Sequence, residues 1–125
     1  MKTAKKNKRI LILDKGSRLM DAVDDLLSTG GWDLSVTFDA EGVYDVAKRY
    51  HPDLIVLDYL LLDNDCALVC KDFQDDPELS TVPIIIVTAY KNKKVKAEAY
   101  KCDALFVKPL DLELLVSRVD YLMAS

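Results

Sequence analysis

Four short runs of branched apolar residues punctuate the chain: ILIL at 10–13, LIVL at 54–57, IIIV at 84–87 and ALFV at 104–107. Continuous apolar runs of this length fit strands covered on both faces, as in a parallel sheet. The segment WDLSVTF at 32–38 is different. Trp32, Leu34, Val36 and Phe38 alternate with Asp33, Ser35 and Thr37, the pattern of a half-exposed strand, which belongs at a sheet edge.

Helical periodicity fills the gaps. Ser17 is a plausible N-cap, Leu19, Ala22, Val23 and Leu26 share one face, and Gly30 stops the helix. Val43, Val46, Ala47 and Tyr50 form a second stripe with Pro52 beyond it, and Cys66, Val69, Cys70 and Phe73 form a third. The segment 91–101 is lysine-rich and weakly amphipathic. Asp111 is placed to cap a last helix with the stripe Leu112, Leu115, Val116, Val119 and Leu122. Five strands alternating with five helices argue for an α/β fold, a parallel sheet with helices on both faces. The edge character of the second strand gives the order 2-1-3-4-5, a doubly wound sheet.

Length and charge narrow the function classes. The 125 residues suit one domain, read as a basic tail at 1–8 and a single domain at 9–125, with no room after the last helix for an output module. No apolar run approaches the roughly 20 residues of a membrane span, and ILIL is too short for a secretory signal, so a cytoplasmic protein is expected. Of the net charge of −4, the first nine residues contribute five positive charges, leaving −9 on the remaining 116. An acidic body argues against nucleic-acid binding. Cys66, Cys70 and Cys102 read as free thiols, and with His51 the only histidine a zinc site lacks ligands. His51, just before the third strand, reads as a surface residue.

In a doubly wound sheet ligands bind beyond the carboxyl ends of the strands. The polar residues there are Asp14 and Lys15, Asp58, Thr88, and Lys108. A carboxylate, a hydroxyl, an ammonium and an acidic metal ligand make a set suited to handling a phosphoryl group. A dinucleotide-binding enzyme is the poorer alternative, because DKGSR offers one glycine where that fingerprint needs several.

RILILD, PDLIVLDYLLLDND, VPIIIVTAY and LFVKPLDLELL together resemble the CheY-like response-regulator receiver domain of two-component signalling, from about Arg9 to Leu122. The resemblance implies a flavodoxin-like three-layer fold and a non-enzymatic, stand-alone role in a phosphorelay. It implies a histidine kinase or phosphotransfer protein as donor and a downstream protein as partner, with segment 91–101 and the last helix as partner surface. It makes Asp58 the phosphoacceptor, Thr88 a ligand of a phosphoryl oxygen and Lys108, before Pro109, a phosphoryl contact. Asp14 matches the first of two acids that, with Asp58, hold a divalent ion in the family.

Lys15 stands where the second acid is expected. An ammonium there removes an oxygen ligand and repels the ion, so magnesium binding is expected to be weak or absent. Leu62 and Cys66 replace the usual proline and glycine after Asp58. Leu105 occupies the position where the family commonly has an aromatic reporter, and Phe106 should face the other way. Asp63 and Asp65 read as loop caps. Asp58, Thr88 and Lys108 favour a working switch. Lys15, Leu105 and Cys66 favour a phosphorylation-independent pseudo-receiver acting as a protein-interaction module.

Overall fold

The computed structural model describes residues 8–13, 25, 31–38, 41–58, 66–88, 104–107 and 112–123. Five strands form one sheet: β1 (Arg9–Leu13), β2 (Asp33–Thr37), β3 (Leu54–Asp58), β4 (Ile84–Thr88) and β5 (Ala104–Val107). All four pairings are parallel, in the order β2-β1-β3-β4-β5. Among the described residues the helices are α1 (Val43–Tyr50), α2 (Cys66–Asp75) and α3 (Leu112–Met123). Of the expected helix around Leu19 to Leu26 only Asp25 is described, and it is helical and exposed; the Ser17 cap and Gly30 stop, segment 91–101 and Asp111 lie outside the described residues.

The runs 10–13, 54–57 and 84–87 of the central strands are apolar throughout because each face meets a helix. Leu11, Leu13, Ile55, Leu57, Ile84 and Ile86 pack with Val43 and Ala47 of α1 and Cys70 and Phe73 of α2. Their neighbours Ile10, Ile12, Leu54, Val56, Ile85 and Val87 pack on the other face with Leu115, Val119 and Met123 of α3. Strand alternation therefore divides each apolar run between two cores. Complete burial of such a side chain contributes roughly 1.5–3 kcal/mol.

Two stripes differ from their expected extent. On β2, Trp32 and Leu34 pack against the α3-side core, but Val36 is 39% and Phe38 63% exposed. The expected alternation holds through Leu34 and then breaks down, with Ser35 and Thr37 half-buried and Val36 and Phe38 exposed. On α3, the core face is Leu115, Val119 and Met123, with Leu122 partly buried. That face runs one residue beyond the predicted stripe because a straight helix repeats at 3.6 residues.

The amino edge of the sheet is held by side chains. The Arg9 guanidinium donates to the Tyr50 carbonyl at 2.7 Å and lies 5.5 Å from the Tyr50 ring centre. The Tyr50 hydroxyl donates to the Asp33 carbonyl at 3.1 Å. Arg9 N–H donates to the Asp53 carboxylate at 2.9 Å and Asp53 N–H to the Arg9 carbonyl at 2.7 Å. Burial, then the neighbouring Asp33, pushes the Tyr50 phenol up. Lys8 donates through Nζ to the Met123 carbonyl at 2.7 Å, placing a cation at the negative end of α3. The starts of β1, β2 and β3 and the end of α3 are thereby joined.

Candidate functional site

The register decides which strand ends meet. Leu13 is opposite Leu57, Asp58 opposite Val87, and Thr88 opposite Val107. All five strands point the same way, so these residues lie along one carboxyl edge. Neighbouring strands are about 4.8 Å apart, so the ends of β1, β3 and β4 fall within roughly 10 Å of one another. Asp58 is the last residue of β3 and Thr88 the last of β4. Lys108 follows Val107, and Asp14 and Lys15 follow Leu13, all three outside the described residues, as are Leu62, Asp63 and Asp65.

A carboxylate position and a hydroxyl position thus end adjacent strands. The strands that precede Asp14 and Lys108 flank them on either side. Phe106 is half-buried and packs against the α3-side core, which commits this aromatic to the α3 face of the sheet. Among the described residues no group of three or more His, Cys, Asp or Glu side chains is arranged to hold a metal ion.

A second connected polar group lies elsewhere. Asp76, which follows α2, is nearly buried, with its side chain 5% exposed. Its carboxylate accepts from the Tyr44 hydroxyl, from Lys48 Nζ at 3.0 and 3.3 Å, and from Glu78 N–H at 2.8 Å. Lys48 also reaches Glu78 at 3.1 Å. The Tyr44 hydrogen bond first and the Lys48 ammonium second hold the Asp76 carboxyl down at about 2, below the usual 3.8. The same contacts raise the Tyr44 phenol and the Lys48 ammonium. A cleft of about 460 Å³, lined by Tyr44, Asp72, Asp75, Asp76 and Pro77, opens beside this group. Residues 76–83 lead into the start of β4, so the group belongs with the amino edge, away from the strand ends carrying Asp58 and Thr88. Sequence reasoning passed over it; the one local signal is DDPEL, an aspartate before proline in turn-forming company.

Comparison with known proteins resolves the family. The response regulator receiver domain profile matches residues 10–120. The chain belongs to that family. Its receiver fold is also that of the receiver domain of a signal-transduction histidine kinase from Syntrophus aciditrophicus. There the TM-score is 0.82 at 23% identity, covering 94% of this chain and 90% of that one. The receiver domain of the sensor histidine kinase PA1611 from Pseudomonas aeruginosa superposes with a TM-score of 0.82 at 18% identity, over 96% and 100% of the two chains. That structure carries a magnesium ion in its active-site cleft. In sequence, the polar-differentiation response regulator DivK of Brucella ovis is 28% identical over 114 residues, covering 90% of this chain and 93% of DivK. The receiver is a two-component signalling protein of the CheY-like fold. No helix among the described residues is long and apolar enough to cross a membrane.

Proposed function

We propose that this receiver accepts a phosphoryl group on Asp58 in phosphorelay signalling, with Thr88 and Lys108 serving the transferred group and Lys15 impairing the metal site. The supporting observation is the sheet register, which brings the ends of β3 and β4, Asp58 and Thr88, side by side at the edge where a doubly wound sheet takes ligands. A histidine kinase or phosphotransfer protein would donate the group in the cytoplasm, and a downstream protein would read the result.

The chemistry needs little beyond position and charge. An Asp58 carboxylate oxygen attacks the donor's phosphorus; the new O–P bond forms as the donor's N–P bond breaks, and the imidazole leaves. The Thr88 hydroxyl donates to one phosphoryl oxygen and the Lys108 ammonium neutralises another. β1 pairs with β3 up to Leu13 and Leu57; Asp58 ends β3 and Asp14 follows Leu13 in the sequence. That donor set fits a hard divalent ion, though with fewer acids than the family uses. Bound there, magnesium would supply positive charge to the phosphoryl oxygens. Lys15 offers an ammonium to the same acids and competes with the ion.

The test is exposure to a small acyl phosphate, with and without magnesium, followed by intact mass. Wild-type protein should gain one phosphoryl group with little dependence on magnesium. Asp58→Asn should gain none while folding normally; continued gain would mean another acceptor. Lys15→Asp should create a magnesium site of millimolar strength or better, checked by titration on Trp32 fluorescence or amide shifts, and make phosphorylation metal-dependent. Equal magnesium binding by the two proteins would make Lys15 a surface substitution only. A wild type that never takes up phosphate would favour the second reading, the pseudo-receiver, whose support is the charge of Lys15 itself.

A further inference from the structure

The Asp76 group joins parts of the chain that the sheet does not. Tyr44 and Lys48 lie on α1, one turn apart, and both reach one carboxylate placed after α2. The same residue organises the connection beyond it. Its carbonyl accepts from Leu79 N–H at 3.0 Å and Ser80 N–H at 2.7 Å, and its carboxylate from Glu78 N–H at 2.8 Å. Leu79 is buried in the core that α1 and α2 share, and the Tyr44 ring stacks on Phe73 with centres 6.3 Å apart. One acceptor therefore fixes the outer face of α1, the end of α2 and the turn that feeds β4.

A nearly buried carboxylate with this many donors cannot lose them singly without cost, because each freed group must find water. Opening of α1 would strip the Tyr44 and Lys48 partners from Asp76. Opening of the connection would carry Asp76 away from both. Local openings of folded proteins follow such cooperative units rather than single helices.

We propose that Asp76 clasps α1 to the connection of residues 76–83, so that the two open as one unit while the sheet beneath stays closed. The clasp is a conformational device at the far end of the fold from Asp58 and Thr88.

Native-state hydrogen exchange in low denaturant on the full chain tests this with two variants. Tyr44→Phe keeps the ring on Phe73 and removes only the hydroxyl; Asp76→Ala removes the acceptor. Each should speed exchange about fivefold or more, the scale of one lost intramolecular hydrogen bond. The rise should appear in both segments at once: at Val46 and His51 in and after α1, and at Leu79, Ser80 and Val82 in the connection. The Ile12 amide, in the centre of the sheet, should be unchanged in Tyr44→Phe. A rise confined to the segment carrying the substitution would overturn the proposal. So would no rise in either segment, or an equal rise at Ile12 in Tyr44→Phe.

Discussion

Asp76 shows how one side chain can set a pH response. Its carboxyl titrates at about 2 in the folded chain against 3.8 ordinarily. A depressed carboxyl favours the folded state above the unfolded value, and that contribution is lost as pH falls from about 4 towards 2. Lys48 is raised, so its share is intact at every pH below its ordinary value and is lost only in strong alkali. Urea unfolding at pH 7, 4 and 2.5 should show wild type losing stability over the acid step more steeply than Asp76→Asn, which has no carboxyl to protonate. At His51 the consideration is conformational. It ends α1 with φ of 57°, its N–H donating to the Ala47 carbonyl at 3.0 Å. A left-handed backbone disfavours residues with a Cβ by about 1 kcal/mol or more. Set against the extra freedom glycine has when unfolded, His51→Gly should stabilise the fold by up to about 1 kcal/mol, read from the denaturation midpoint.

Elements differ in how plainly the sequence marks them. The runs at 10–13, 54–57 and 84–87 were legible because both faces of those strands are buried, so every position had to be apolar. The edge strand was legible as an edge, but its exposed end was not: Val36 and Phe38 have the same alternation as Trp32 and Leu34, and no local pattern states where the covering layer ends. In α3, Met123 falls four residues after Val119 and is buried, yet the predicted stripe ended at Leu122. α2 carries its burial on few residues. Phe73, fully buried between α1 and the sheet, is the largest of them, and Phe73→Ala should cost about 3–5 kcal/mol in unfolding free energy. Leu68→Ala on the exposed face of the same helix, where Leu68 is 61% exposed, should stay within about 0.5 kcal/mol. Similar losses from the two would mean α2 is seated differently on the sheet.

Over the whole molecule, topology followed from a single inference, that the alternating strand lies outside the first. Asp58 and Thr88 were legible as ends of β3 and β4 for the same reason: parallel strands collect their carboxyl ends at one edge whatever their separation in sequence. The Asp76 group was not legible, because Tyr44 and Asp76 are 32 residues apart and no periodicity links a helix to a turn. The basic beginning of the chain also reads differently in three dimensions. Of its five positive charges, Lys8 is engaged with Met123 and Arg9 with Tyr50 and Asp53, leaving Lys2, Lys5 and Lys6 as the further cations of that stretch. Lys8→Met should cost about 0.3–1 kcal/mol, the worth of a cation at a helix C-terminus, measurable as a lower urea midpoint. The contact between Lys8 and Met123 has one more consequence. It brings the first strand and the last helix within a hydrogen bond of each other, on the side of the sheet away from Asp58 and Thr88. A circularly permuted chain, with a short glycine linker across that contact and new ends cut at the exposed Gly31, should retain the native sheet by circular dichroism.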